Sequence, residues 1–257
     1  MAGGVFQFLY LAAGILYFLA FSMNRRPVRF AAFAAAAATL LAHAAYLTAR
    51  SFESGHPPLT NMYETLHLLA FLSFLVFSAM RFRWPLDLAG GFAGLISGLL
   101  VASSALASPE IQPLLPALKS NWLLFHVTAC FLAYSSFAVA MGSSISYLSV
   151  NPKNQALLSR LDTVTHRMVL FGYPFLTLGI ATGAVWAELT WGRYWNWDPK
   201  EAWAFSTWLV YAVYLHLKYL KPPRPRFMAW VAVAAFGLVL FTYYGVNIWL
   251  ATLHDYA

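Results

Sequence analysis

Apolar residues occur along this chain in long runs that are separated by short polar stretches. A helix that crosses the hydrocarbon core of a membrane needs about 20 such residues. Eight runs reach or approach this length, and they extend approximately over residues 5–23, 29–49, 63–80, 86–107, 122–149, 164–188, 201–220 and 227–250. The pattern therefore predicts an all-α, polytopic integral membrane protein of about eight helices, with residues 1–257 in a single transmembrane domain.

The basic residues are divided unevenly between the two sets of predicted loops. Most of the 16 Lys and Arg residues follow the first, third, fifth and seventh helices, and only Arg50, Lys119, Arg193 and Lys200 fall on the opposite side. Cytoplasmic loops carry the excess of Lys and Arg in membrane proteins. Both termini are therefore predicted to face outward. The net charge of +7 then reflects topology, so we expect membrane lipid rather than nucleic acid as a partner.

Composition agrees with a lipid-facing surface. Hydrophobic residues make up 61% of the 257 residues and charged residues 10%, whereas a soluble domain carries roughly 25% charged residues. Cys130 is the single cysteine, which excludes a disulfide framework or a cysteine-based zinc site within the chain. Any thiol chemistry that this protein supports must use thiols from a partner.

Three histidines lie where an imidazole is expected to have a function. His126 lies near the predicted outer end of the fifth helix, and His254 lies just beyond the eighth helix on the same side. His216 lies 14 residues after Ala202, which is about 21 Å along the seventh helix at 1.5 Å per residue. An imidazole at that depth is costly and indicates a function by default, although a hydrogen bond to a neighbouring helix is the alternative.

The other four histidines have simpler interpretations. His43 and His67 lie in the outer halves of the second and third helices, where they are either ligands or polar packing residues, and we favour packing. His56 lies in a predicted outward loop between Gly55 and Pro57, and His166 lies on the predicted cytoplasmic side beside Arg167; both are interpreted as loop residues.

The predicted outward loop before the seventh helix is dense in aromatic residues. Four of them fall within seven residues, at Trp191, Tyr194, Trp195 and Trp197. Tryptophan is common at membrane interfaces in general, so this density alone is not specific. The following residues also suit the start of a helix, with Asp198 as the N-cap, Pro199 at the first position and Glu201 in a capping box.

Histidines, aromatic side chains and basic residues on one side of a membrane are the groups that heme binding requires. Two neutral imidazoles can hold heme iron from opposite faces, and aromatic planes can stack on the porphyrin and exclude water. Arg193 and Lys200 are placed to pair with the propionates. We therefore predict an outer heme site with His126 and His254 as axial ligands, and a separate intramembrane heme site with His216 as a ligand.

The motif carries a resemblance to a known family. The stretch Trp191-Gly192-x-x-Trp195-x-Trp197-Asp198, continued by Pro199-Lys200-Glu201-Ala202-Trp203, resembles the WWD motif of heme-handling proteins and, in its Pro-Lys-Glu continuation, the CcsA (ResC) family of System II cytochrome c biogenesis. Residues 55–64, 208–216 and 245–256 resemble further segments of that family. Ala251, Thr252 and Asp255 depart from its usual closing segment.

The resemblance implies a transport and presentation pathway for heme b. Heme would enter from the cytoplasmic side, pass the His216 site and reach His126 and His254 beneath the motif residues Trp191, Gly192, Trp195, Trp197 and Asp198. There its vinyl groups would be presented to the thiols of a C-x-x-C-H apocytochrome c, which thiol-reducing proteins keep reduced. The membrane would be the bacterial cytoplasmic (inner) membrane with the motif facing the periplasm, or a thylakoid membrane in a plastid.

The resemblance also implies a partner. A ResB (CcsB)-type membrane protein would supply the second intramembrane histidine and an outer domain, so the chain is expected to be one half of a cytochrome c heme lyase (holocytochrome c synthase). Three alternatives stay open. They are a CcmC-type protein that loads a heme chaperone, a b-type electron-transfer subunit, and a heme-free transporter.

Overall fold

The computed structural model describes residues 2–84, 86–111, 113–220 and 224–250, and their regular structure is entirely helical. The long helices are α1 (Val5–Met23), α2 (Arg26–Ser54), α3 (Met62–Arg83), α4 (Asp87–Ser103), α5 (Asn121–Ser149), α6 (Gln155–Trp191), α7 (Pro199–Leu220) and α8 (Pro225–Leu240). A π-helical segment, Phe241–Gly245, joins α8 to the short α9 (Val246–Trp249). Short 3-10 turns occupy Ala2–Gly4, Ser104–Leu106 and Pro116–Leu118.

The predicted fold class is confirmed. Within the described ranges, 7 helical segments are long and apolar enough to cross a membrane. The exception among the eight long helices is α7, where Trp, Tyr, His and charged residues interrupt the apolar sequence, so that no stretch of spanning length is as apolar as those in the other seven. The chain is a multi-pass membrane protein, whereas the count of eight spans and the outward direction of the termini stay predictions.

Two helices, α2 and α6, extend well beyond the predicted bounds. α6 begins at Gln155 rather than near residue 164, because the side chain of Asn154 caps it by accepting a hydrogen bond from the Leu157 amide. The interpretation of His166 as a loop residue is therefore wrong, since it lies within α6. The extra turns mix polar and apolar residues, so a search for apolar runs misses them.

α2 likewise continues through Ser54, and Arg50 is a helical residue rather than part of the following loop. Its guanidinium is buried and forms a salt bridge of 2.9 Å with Glu64 on α3. Burial of a charge is tolerated when it is paired and hydrogen-bonded, so this pair fastens the ends of the two helices.

The described residues form two compact units, one with α1–α4 and one with α5–α9. The prediction of a single domain stays a prediction. In the first unit, α1 packs closely on α4 because glycines meet at the crossing. A Cβ atom on Gly94 would lie 2.6 Å from the Gly14 Cα atom, which only glycine permits. Small residues allow this kind of close backbone approach between membrane helices.

In the second unit, α5 lies along α6 and also packs against α8, and α7 packs against α6 and α8. The centre of this unit is aromatic. The rings of Phe137 and Tyr211 stack with centroids 3.7 Å apart, and Gly172 provides the space for Phe137. α5 and α6 therefore form the scaffold on which the predicted ligand His126 is mounted.

Candidate functional site

His126 is held on α5 by a backbone carbonyl of α6. Its Nδ1 atom lies 2.7 Å from the Gly179 carbonyl oxygen. A carbonyl only accepts, so Nδ1 carries the proton and donates it. In a neutral imidazole the other nitrogen, Nε2, then has its lone pair available. Nε2 has no hydrogen-bond partner among the described residues, and the ring is half-buried.

The surface of α6 beneath His126 consists of small residues and one tryptophan. Gly179, Gly183 and Trp186 share one face of the helix, at spacings of four and three residues. The Trp186 ring lies parallel to the imidazole with centroids 6.4 Å apart. Trp186 is almost completely buried, and its Nε1 atom donates to the Ala117 carbonyl at 3.0 Å. The wall behind His126 is therefore a fixed indole plane.

Trp186 also connects His126 to the tryptophan-rich motif. The Trp186 and Trp191 rings meet edge to face, with centroids 4.9 Å apart. Aromatic pairs prefer this geometry to a face-to-face sandwich. The structure thus brings His126 and the first motif tryptophan together around one buried residue that the sequence analysis did not single out.

The motif loop, which is the tryptophan-rich loop of residues 192–198 between α6 and α7, contains two residues whose backbone lies in the left-handed region. Gly192 ends α6 with φ 73°, as glycine commonly does at a helix C-terminus. Trp197 has φ 55° and is 70% exposed. A bulky residue in this conformation costs roughly 1 kcal/mol or more. Such strain persists only where the surroundings impose it, and it often marks a binding site.

The residues after Trp197 impose this conformation. The Asp198 carboxylate accepts from the Lys200 amide at 2.9 Å, and the Glu201 carboxylate accepts from the amides of Asp198 at 3.2 Å and Asn196 at 2.9 Å. The predicted capping box is thus confirmed, with Pro199 as the first residue of α7. Glu201 additionally holds the loop itself, because it reaches back past the cap to Asn196.

The two predicted propionate partners differ in their surroundings. Arg193 is exposed, and its guanidinium donates to the Asn196 side-chain oxygen at 3.2 Å. Lys200 is half-buried in the first turn of α7. Arg193 therefore lies in the loop between α6 and α7 and Lys200 just after that loop, and their role toward propionates stays a prediction.

His216 lies far from His126 along the second unit. Two residues beyond His216, the Lys218 ammonium pairs with Asp162 of α6 at 2.7 Å, whereas His126 contacts α6 at Gly179. These two α6 positions are 17 residues apart, or about 25 Å at 1.5 Å per residue. The two histidines therefore cannot share one ligand, which agrees with the prediction of two separate sites.

The surroundings of His216 differ from those of a packed helix contact. Its Nδ1 atom lies 3.2 Å from the Ala212 carbonyl of its own helix, and the residue is exposed on the surface of this chain. Nε2 has no hydrogen-bond partner in the described part of the chain. A hydrogen bond to a neighbouring helix, the alternative interpretation, is not found there. His254, the second predicted outer ligand, lies outside the described residues.

His43 and His67 form a closed hydrogen-bonded chain in the first unit. The Ser104 hydroxyl donates to the Val101 carbonyl, so it accepts from His67 Nε2 at 3.2 Å. His67 Nδ1 then accepts from His43 Nε2 at 3.0 Å, and His43 Nδ1 accepts from the Tyr10 hydroxyl at 2.7 Å. All four ring nitrogens are occupied, and both residues are fully buried. This arrangement agrees with the packing interpretation.

Sequence reasoning missed the residues that support His126. They are Gly179, Gly183, Trp186 and Cys130, whose Sγ atom lies 3.8 Å from His126 Nδ1. One signal was present, since Gly179 and Gly183 form a Gly-x-x-x-Gly pattern within an apolar helix. This pattern indicates a close helix contact, but it does not reveal that the contacting residue is a histidine.

Comparison with known proteins gives consistent matches. The sequence model of a family described as "Cytochrome C assembly protein" matches residues 3–254. A protein of Guillardia theta named "Cytochrome c biogenesis protein CcsA" is 39% identical over an alignment of 242 residues that covers 82% of this chain and 80% of that protein. A protein of the same name from a Synechococcus strain is 35% identical over 290 residues, with 84% and 82% covered.

A solved structure also matches. The chain named "Cytochrome c Heme Lyase CcmF" superposes with a TM-score of 0.60 at 22% identity, over 94% of this chain and 45% of that chain. At this identity the likeness concerns the fold alone. It shows that the helical arrangement occurs in a structure about twice as long.

Proposed function

The chain belongs to the CcsA family of cytochrome c assembly proteins, and we propose that it holds heme b as a substrate and presents it for covalent attachment to apocytochrome c. Membership of this family assigns the chain a role in cytochrome c maturation. The family and its relatives are named for cytochrome c assembly and biogenesis. The observation that carries the finer proposal is the state of His126. Its Nδ1–H is fixed by a carbonyl, which directs the Nε2 lone pair away from α6.

This geometry matches what metal ligation by histidine requires. A ligating histidine commonly donates its other ring N–H to a backbone carbonyl or carboxylate, which fixes the tautomer and ring orientation. His126 satisfies this requirement through Gly179. We propose that His126 Nε2 binds one face of the heme iron at the predicted outer site and that His254 binds the opposite face.

The tryptophan-rich loop fits the role of covering the porphyrin. Trp197 exposes 70% of its surface and is held in a strained conformation, so the protein maintains an aromatic plane without burying it against its own residues. Trp195 lies edge-on to Trp197 with centroids 5.7 Å apart. We propose that these planes contact the macrocycle, and that Arg193 in the same loop and Lys200 just after it pair with the propionates.

His216 fits a second heme site that this chain does not complete. An exposed imidazole within a membrane-embedded helix is costly unless another group binds it. Nδ1 has the Ala212 carbonyl of its own helix, but the described residues supply no partner for Nε2. We propose that His216 binds heme on its way to the outer site, with the second axial histidine supplied by a ResB (CcsB)-type partner that packs on α7.

The attachment chemistry requires little from the side chains of this protein. Each apocytochrome thiol adds across one vinyl group, so an S–H bond and a C=C π bond break while a C–S and a C–H bond form, with no net oxidation. Cys130 is buried and is not one of these thiols. The protein contributes orientation and exclusion of water, and bis-histidine ligation occupies both axial positions until the apocytochrome histidine replaces one ligand.

The proposed orientation follows from the basic residues. The ends of the chain and the tryptophan-rich loop would face the periplasm of a bacterial inner membrane, or the corresponding side of a thylakoid membrane. Thiol-reducing proteins on that side would maintain the C-x-x-C-H thiols. Heme lyase activity is proposed for the assembly of this chain with its ResB-type partner.

The test uses the chain co-expressed and purified with that partner. Visible spectra of the reduced protein are recorded for wild type and for His126→Ala, His254→Ala and His216→Ala, with and without added imidazole. We expect each substitution to remove or shift one heme signal and imidazole to restore it, because imidazole can enter the space of the missing ring. A wild type without heme, or three variants with unchanged spectra, would eliminate the ligand assignment and favour the transporter.

A further inference from the structure

Gly183 lies against the ring that is proposed to bind heme. A Cβ atom at this position would lie 2.6 Å from His126 Nδ1 and 2.7 Å from its Cε1. Contacts this short do not occur between real side chains. We infer that Gly183 is a positioning residue for His126, whose absent side chain sets the tilt of the imidazole and hence the direction of Nε2. The inference rests on the proposed role of His126 and extends it.

The ring has no easy way to avoid a larger residue at position 183. Its Nδ1 atom is bonded to the Gly179 carbonyl at 2.7 Å, one turn before Gly183 on the same face of α6. The Trp186 plane, which lies parallel to the ring, occupies the following turn. The imidazole thus lies in a groove of three successive α6 turns, and a methyl group at residue 183 would fill the middle of that groove.

The two glycines of the Gly-x-x-x-Gly pattern have different neighbours. A Cβ atom on Gly179 would contact Cys130, at 2.5 Å from Sγ and 3.2 Å from the backbone nitrogen. Gly179 therefore sets the distance between α5 and α6. The three nearest atoms to a Cβ atom on Gly183 all belong to the His126 ring. Gly183 accordingly determines the orientation of one side chain rather than the separation of two helices.

The consequence for ligation follows from the direction of the lone pair. The hydrogen bond from Nδ1 to a carbonyl raises the basicity of Nε2 and keeps it aimed at the metal. Gly183→Ala would push the Nδ1–Cε1 edge outward, stretch that hydrogen bond and rotate Nε2. Loss of such supporting contacts typically weakens metal binding by about 10- to 100-fold, so we expect heme to dissociate faster by a factor in this range.

The experiment isolates the predicted outer site. The complex with the ResB-type partner carries His216→Ala, so that only the outer heme remains, and heme loss is timed by transfer to excess apomyoglobin. Gly183→Ala is compared with Gly237→Ala on α8, where an added Cβ meets no atom within 4 Å. We expect rapid heme loss and a higher midpoint potential for Gly183→Ala, and wild-type behaviour for the control.

A second background separates positioning from general packing damage. In His126→Gly with added imidazole, the ring is no longer attached to α5 and can shift around a methyl group at residue 183. Gly183→Ala should then change heme retention less than twofold. Equal losses in both backgrounds, or no loss in either, would overturn the inference while the proposed function stands. Absence of heme from every protein, including the parent, would overturn both.

Discussion

The two histidine centres of this protein use the same side chain in opposite ways. In the first unit, His43 and His67 are fully buried, and Tyr10, Ser104 and the two rings occupy all four nitrogens. In the second unit, His126 is half-buried with one nitrogen bonded and the other directed away from its support. A complete set of hydrogen bonds is typical of a packing role, whereas a fixed tautomer with an available lone pair fits the proposed ligand role of His126.

The distance between the rings of His43 and His67 also favours a packing role. Two imidazoles that share one metal ion leave about 4 Å between their ligating nitrogens, since each metal–nitrogen bond is about 2 Å long. The facing nitrogens of His43 and His67 are 3.0 Å apart, which is a hydrogen-bond distance. The stacking of Phe6 on His43, with centroids 4.3 Å apart, also covers one face of that ring. The pair therefore does not resemble the paired ligands of a b-type electron-transfer subunit.

The largest expected effect is at the hydrogen-bonded pair of His43 and His67, which we call the closed centre. It tests whether this pair contributes to stability alone. His67→Ala would leave His43 Nε2 without its partner and open a cavity between α2 and α3. Orphaned buried polar groups and cavities together cost about 2–4 kcal/mol. We expect a clearly lower midpoint of thermal unfolding in detergent, with unchanged heme content per folded molecule.

The matched control is His56→Ala, in the loop between α2 and α3, where Nδ1 lies 3.0 Å from the adjacent Pro57 carbonyl oxygen. That substitution should change stability by no more than about 0.5 kcal/mol. If His67→Ala stayed folded and lost heme, the packing interpretation would be wrong, because His43 and His67 would then be part of a heme site.

His126 and the tryptophan-rich loop form what we call the open centre. A smaller effect is expected there at Trp197, where the backbone is strained. Trp197→Gly relieves the positive φ of 55° and should stabilise the protein by up to about 1 kcal/mol. It also removes the proposed aromatic contact of Trp197 with the porphyrin, worth about 0.5–1.5 kcal/mol, so heme should dissociate roughly two- to tenfold faster. Thermal unfolding and heme transfer measure the two effects. Trp197→Phe keeps both the aromatic ring and the strain, so it should change neither measurement much; a stabilised Phe variant would contradict this account.

The sequence predicted much of this arrangement and missed the parts that depend on contacts between helices. The apolar runs predicted the long helices, and Asp198, Pro199 and Glu201 predicted the start of α7, because both signals are local. The hydrogen bond from His126 to Gly179 joins residues 53 positions apart, and no local pattern reports it. For the same reason the sequence left the roles of His43 and His67 open until their ring nitrogens could be followed to their partners.

The smallest expected effect concerns how the motif loop keeps its shape. Glu201 accepts hydrogen bonds from the amides of Asn196 and Asp198, so Glu201→Ala should cost about 1 kcal/mol at the start of α7. Amide hydrogen exchange in residues 193–198 should speed up by about fivefold, which is what 1 kcal/mol represents, and heme loss should rise about twofold. Glu110→Ala, an exposed carboxylate in the first unit, is the control. If hydrogen exchange accelerates while heme loss does not, the shape of the loop stabilises the fold of the open centre but does not contribute to heme binding.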